Sequence, residues 1–300
     1  SMAMDLHPLV NLAVGIILVV GLIVRFKVNA FVALIIAATA VSFLAAAPSA
    51  AELAGLKPGY RMTRVAEAFG KTAGAIGIVI AMAALIGKCM MDSGAADRIV
   101  RSFLRALGEQ RSGAALAGSG FVLSIPVFFD TVFYLLVPLA RSLHRSTKKN
   151  YLKYVLAISA GAAVTHTVVP PTPGPLLVAA NLNVDVGMMI IMGLAVGFPA
   201  AMAGLLVASW MDKHMDITPV LADTGGEEDA GPVDESALPS LPVSLVPIVL
   251  PVILISLNTV NTHLAKTSEA AADLAPVIST IGNSNFALMV SAAFAVLLYI

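Results

Sequence analysis

The stretch YVLAISAGAAVTHTVVPPTPGPLLVAANLNV, residues 154–184, holds 31 residues without a formal charge, and Pro170-Pro171-Thr172-Pro173-Gly174-Pro175 stands in its middle. Its length and apolarity suit a membrane crossing, which needs about 20 such residues. A continuous α-helix cannot pass through it, because each proline removes a backbone donor and clashes with the preceding turn, and glycine adds entropic cost. The stretch therefore predicts a helix broken at membrane depth. Unpaired backbone is tolerated there only where protein buries it or a wet cavity borders it, so the break is a candidate binding site.

The composition around this stretch agrees with a membrane setting. Hydrophobic residues make up 58% of the 300-residue chain and charged residues only 12%, and mean hydropathy is +0.91, against about 25% charged in a soluble domain. Eighteen basic side chains balance eighteen acidic ones, so no basic field recruits nucleic acid. The single cysteine, Cys89, excludes an intramolecular disulfide framework and a thiolate metal cluster within one chain. No cofactor and no metal site are expected.

Further apolar runs of near-span length occur at Pro8–Val24, Val28–Ala47, Thr72–Ile86, Val186–Trp210, Leu241–Val260 and Asn285–Ile300. Pro8–Val24 lacks a basic start and a small-residue cleavage site, and reads as a span rather than a signal peptide. Ser1–Met4 reads as a scar of tag removal. The last run is still short of a span at Ile300, which leads us to expect a truncated second half. Residues 49–71 mix charges with Leu53, Leu56 and Tyr60 at helical spacing, and read as an interfacial helix or a solvated loop.

Between Ser112 and Ala140 lie 29 residues whose only charge is Asp130, interrupted by Pro126 and Pro138. Loop Lys88–Arg111 holds five Lys/Arg, and loop Arg141–Lys153 holds five more without an acid, so the positive-inside rule puts both in the cytoplasm. Ser112–Ala140 must then enter and leave from one side, as a re-entrant hairpin turning near Ser124–Thr131. On this reading residues 5–210 form a first transmembrane unit, 211–240 a cytoplasmic acidic linker and 241–300 the start of a second unit.

Asp130 costs a few kcal/mol in such a segment unless it is protonated, paired or hydrated. It reads either as a proton carrier or cation ligand, or as an N-cap of the helix that follows. His166 is the only imidazole inside an apolar segment, and its ordinary pKa near 6.5 suits a proton switch, or else it orients the break as a fixed donor. Thr165, Thr167 and Thr172 supply hydroxyls suited to a polyol or hydroxy acid, although such residues in membrane helices also bond their own backbone. The half-helix starting at the break is expected to present N–H groups that hold a carboxylate without a buried lysine. Asn181, Asn183 and Asp185 read as an outer turn or a gate. Residues 92–107 read as an amphipathic cytoplasmic helix capped by Asp92 or Ser93, and Lys88 and Asp92 are spaced to pair.

Three blocks carry a family resemblance: Ser93-Gly94-Ala95-Ala96-Asp97-Arg98-Ile99-Val100, Ser124-Ile125-Pro126-Val127-Phe128-Phe129-Asp130-Thr131, and Thr165-His166-Thr167 running into Pro170–Pro175. In this order they resemble the gluconate permease family of proton symporters. The resemblance implies an all-α polytopic transporter of inverted repeats, with a re-entrant hairpin and broken helices and with its second repeat incomplete. It further implies a bacterial inner-membrane location and uptake of gluconate or a related sugar acid, hydroxy acid or D-serine with protons, and it is compatible with a homodimer. It points to Ser124–Thr131 and Thr165–Pro175 as the substrate region without assigning individual roles; within these stretches the residue chemistry directs attention to Ser124, Thr131, Thr165, Thr167, Thr172 and Gly174 for substrate, to Asp130 and His166 for protons, and to Pro126, Pro170, Pro171, Pro173 and Pro175 for the breaks. A sodium-coupled carboxylate carrier is the main rival. A channel would show charge rings or a repeated filter, and an intramembrane enzyme a nucleophile or metal set; neither pattern is in the sequence.

Overall fold

The computed structural model describes residues 7–44, 58–215, 217 and 237–300. Among them every regular element is helical. The expected scar at 1–4, the first part of the 49–71 segment and most of the 211–240 linker lie outside the described residues. Among the described residues five helices are long and apolar enough to cross a membrane, or six if one bent pair counts as a single span. The chain divides into two compact units, residues 1–77 and 78–300.

In the first unit, α1 (His7–Val20) runs into a π-helical turn at Gly21–Arg25 and is followed by α2 (Ala30–Leu44). The next helix, α3 (Tyr60–Asp92), is 33 residues long and belongs to both units. Arg61 closes the end of α2: its guanidinium donates to the carbonyls of Ser42 and Phe43 at 2.6 Å each, satisfying acceptors that a helix terminus leaves open. Phe31 meets Phe69 edge-on, with ring centroids 6.2 Å apart. The reading of 49–71 as a separate interfacial helix or loop is corrected from Tyr60 onward. No proline interrupts Tyr60–Asp92, so the backbone ladder carries the charged start of α3 directly into the apolar span.

The second unit continues with α4 (Ala95–Leu107), α5 (Ser112–Leu123), α6 (Phe129–Thr147), α7 (Tyr151–Val168), α8 (Pro173–Leu182), α9 (Val186–His214), α10 (Leu241–Leu264), α11 (Glu269–Ile281) and α12 (Ser284–Tyr299). The α11–α12 pair is bent by 59°. The expected amphipathic helix is α4, which buries Ala95, Ala96, Ile99 and Val100. Gly94, at φ +73°, holds the N-cap position; of the two expected capping side chains, Ser93 accepts the Ala95 N–H at 3.4 Å, whereas Asp92 is engaged by Lys88 at 2.6 Å. Burial pushes the Asp97 carboxyl above its usual range, against the opposing pull of Arg101.

Small residues let helices approach closely. At Gly161 of α7, a Cβ would strike the Ala117 carbonyl of α5, so only glycine permits the two backbones to approach this closely. Polar contacts gather the basic loops at one end of the unit. Arg98 donates to the carbonyls of Pro239 at 2.7 Å and Leu238 at 3.0 Å, and Asp212 accepts the Lys153 backbone N–H at 3.0 Å. The Lys153 stem lies against Gly113 at the start of α5. The starts of α5 and α7 and the end of α9 are therefore neighbours, and the start of α4 lies beside the start of α10. From this end α5 runs only 12 residues, about 18 Å, before the chain turns, less than the roughly 30 Å of a hydrocarbon core.

Candidate functional site: the hairpin turn and the helix break

The turn between α5 and α6 follows from Pro126. Ser124 N–H donates to the Gly120 carbonyl at 3.0 Å and Val127 N–H to Leu123 at 3.2 Å, but Pro126 offers no donor and the ladder fails. Phe128 is extended (φ −64°, ψ 146°) and α6 starts after it. Ser124, Ile125, Pro126 and Val127 are all buried.

The second interruption lies between α7 and α8, which together form one 32-residue apolar span. Val169 N–H still reaches the Thr165 carbonyl at 2.9 Å. The carbonyls of His166 and Thr167 would next accept from residues 170 and 171, both prolines, so their helical donors do not exist. Thr172 is extended (φ −63°, ψ 150°) at the N-cap of α8, and its hydroxyl donates to the Val169 carbonyl at 2.8 Å. In α9, a Cβ on Gly193 would collide with the Val168 carbonyl, so α9 presses directly on the break.

The structure brings these two interruptions together. The Phe128 ring lies edge-on to the His166 ring, centroids 5.9 Å apart. Two buried polar atoms in this region, Ser124 Oγ and His166 Nδ1, have no hydrogen-bond partner, and Ser124 is 0% exposed. An unsatisfied buried polar atom costs about 1–3 kcal/mol. Such a cost persists in a native fold where a ligand, ion or water is to be met.

Several expected roles change in detail. Asp130 is not the N-cap of α6; that position belongs to Phe128, and Asp130 is exposed in the first turn with no side-chain cap bond made there. The α8 terminus was expected to present several N–H groups. Pro173 and Pro175 have none, and Leu176 N–H is taken by the Thr172 carbonyl at 3.2 Å, which leaves Gly174. Gly174 is exposed, with open space around it. Thr165 donates to the Gly161 carbonyl at 3.2 Å and Thr167 to Ala163, so with Thr172 all three hydroxyls have spent their protons on backbone. They offer lone pairs instead. Thr131 is half-buried in the first turn of α6.

Asp185 is a helix cap: it accepts from Met188 N–H at 2.9 Å and also from the Thr259 hydroxyl of α10. Asn183 ends α8 in the left-handed region at φ +52°. A contact that sequence reasoning missed is Ser291 Oγ donating to the Pro247 carbonyl at 2.5 Å. The spacing of Pro247 and Pro251 was its signal, since a proline at the fourth position onward removes that carbonyl's donor. Among the described residues no group of three or more His, Cys, Asp or Glu is placed to hold a metal ion.

The pattern of GntP family permeases matches residues 7–300. The chain belongs to the GntP permease family. GntP relatives include an uncharacterised permease of Haemophilus influenzae, 34% identical over 96% of this chain and 59% of that protein. A gluconate permease of Pseudomonas aeruginosa is 35% identical over 86% of this chain and 55% of its own length. A high-affinity gluconate transporter of Escherichia coli is 32% identical over 95% and 60%. The chain thus spans between half and two thirds of the length of these GntP relatives. No solved structure matches. With its several apolar helices, this GntP-family chain is a multi-pass membrane protein.

Proposed function

We propose that the protein is a secondary transporter of the bacterial inner membrane that imports gluconate, or a related sugar acid or hydroxy acid, together with protons by alternating access. The observation that carries this is the meeting of a proline-broken helix with the turn between α5 and α6, where the Phe128 ring lies against His166 and two buried polar atoms lack partners. The relatives named gluconate permease and gluconate transporter support the substrate class. In this reading Asp130 or His166 carries the proton, and the hydroxy acid lies against Ser124, Thr131, Gly174 and the lone pairs of Thr165, Thr167 and Thr172. The pair α5–α6 acts as a re-entrant hairpin, residues 5–210 form a first repeat, and α10–α12 open a second, inverted one.

The experiment is uptake of labelled gluconate into proteoliposomes. Accumulation should require an inward proton gradient and be lost in Asp130→Asn. Uptake indifferent to the gradient and to that substitution refutes proton coupling. One observation favours a second reading. The donor-less carbonyls of His166 and Thr167, following from Pro170 and Pro171, suit a sodium ion, and replacing sodium by choline would then abolish uptake.

A further inference from the structure

Residues of α4, α5 and α10 enclose a groove that the candidate site does not use. It measures about 480 Å³, within the roughly 300–1,000 Å³ of small-molecule sites. Ile99, Phe103 and Ala106 of α4, Val122 of α5, and Leu245 and Val249 of α10 form its walls. Ser102 is the one polar side chain among the residues lining it, and its hydroxyl donates to the Arg98 carbonyl at 2.7 Å. A sugar acid would lose its water here without gaining a donor, so the occupant must present hydrocarbon.

Length and charge narrow the occupant further. The α10 wall runs from Leu241 to Val252, about 17 Å at 1.5 Å per residue, close to the ~15 Å of one leaflet in a 30 Å hydrocarbon core. At its Leu241 end, Arg98 of α4 donates to the carbonyls of Leu238 and Pro239. Arg98, Arg101 and Arg105 recur at i, i+3 and i+7, which sets them on one flank of α4, beside the groove-lining Ser102. Arg105 is exposed. These three outnumber Asp97, the one acid of α4, and neither α5 nor α10 carries an Asp, Glu, Lys or Arg. Basic side chains at the end of an apolar wall attract anionic headgroups. A protein helix would cover the hydrocarbon without calling for a positive flank at one mouth, whereas an amphiphile with an acidic head matches both. At the far end the groove meets Ile125 of the α5–α6 turn, and Val252 packs against the cluster that holds Val169 at the helix break.

We propose that this groove binds an anionic phospholipid, with one acyl chain along α10 from Leu241 toward Val252 and the phosphate beside Arg101 and Arg105. The tail then touches elements of both helix interruptions, whichever solute the protein carries.

Native mass spectrometry tests this on the purified protein, delipidated in detergent and titrated with palmitoyl-oleoyl phosphatidylglycerol, phosphatidylcholine of the same chains, or glycerol 3-phosphate. Phosphatidylglycerol should bind about tenfold tighter than phosphatidylcholine, the scale of two basic side chains at a lipid surface, and glycerol 3-phosphate should not be retained. Arg101→Gln together with Arg105→Gln should reduce phosphatidylglycerol to the phosphatidylcholine level. Lys148→Gln together with Lys149→Gln, in the basic α6–α7 loop, should leave the preference unchanged. Ala106→Trp and Val249→Trp, both at exposed wall positions, should each displace either lipid with the melting profile unchanged, and two separate fillings keep the test decisive if one of them unfolds the protein. Equal retention of the two lipids by the wild type overturns the proposal, as does a preference that survives the arginine pair, vanishes with the lysine pair or ignores both tryptophans. Glycerol 3-phosphate bound as tightly as the lipid would make this a simple anion site, and a dimer that Ala106→Trp dissolves would give the groove to a second copy; either result overturns the lipid assignment.

Discussion

Prolines interrupt two helical stretches of this protein with opposite outcomes. Between α7 and α8, Pro170, Pro171, Pro173 and Pro175 fall within six residues and the helix ends. In α10, Pro247 and Pro251 stand four apart and the helix runs on from Leu241 to Leu264. The difference lies in the donors. In α10 the Pro247 carbonyl loses its helical partner to Pro251, and Ser291 of α12 replaces it at 2.5 Å. At the α7–α8 break the carbonyls of His166 and Thr167 lose theirs to Pro170 and Pro171, and His166 Nδ1 nearby is buried without a partner. A repaired proline is architecture, whereas a cluster left with open polar groups is where a solute or an ion can be received.

This contrast can be broken or sharpened by substitution. The largest effect should come from Gly193→Ala, whose new methyl meets the Val168 carbonyl. Overpacking of this kind should cost about 3 kcal/mol, read as a lower melting temperature in detergent, and a tolerated alanine would show that α9 does not brace the break. Next, His166→Ala should reduce uptake roughly 100-fold, the scale on which a lost proton-transfer group is felt, while moving the melting temperature little. Ser291→Ala should do the reverse. It should cost about 1–2 kcal/mol of stability with uptake retained, and in a Pro251→Ala background, where the helix regains its own donor, that cost should fall below about 0.5 kcal/mol. If Ser291→Ala abolishes uptake instead, the division between repaired and open prolines fails. The smallest shift is expected for Ser124→Ala, which removes a buried hydroxyl without a partner and should raise stability by about 1 kcal/mol even as substrate binding weakens.

Much of this was legible in the residues. The apolar runs located the spans because the hydrocarbon core imposes a minimum length, and the Pro-Pro-Thr-Pro-Gly-Pro string located the break because proline lacks an N–H. The charged start of α3 was read as a separate element because local composition does not reveal whether a backbone ladder is interrupted. The threonine hydroxyls near the break suit either a hydroxy acid or their own backbone on sequence alone, and Thr165, Thr167 and Thr172 donate to the backbone. Side-chain rotamers decide this, and sequence does not encode them visibly. The α8 terminus was expected to be rich in donors although Pro173 and Pro175 were in plain view; counting N–H groups residue by residue would have found Gly174 alone.

Sequence by itself determined the solvent of this protein, the order of its helices and the two places where helices fail, since all three depend on single residues and their near neighbours. Tertiary structure alone decided that the two failures meet, that α9 presses its Gly193 backbone onto the break, and that Ser291 repairs α10. Those facts depend on contacts between residues tens of positions apart, and a carbonyl's partner is known only when the chain has folded back to supply it.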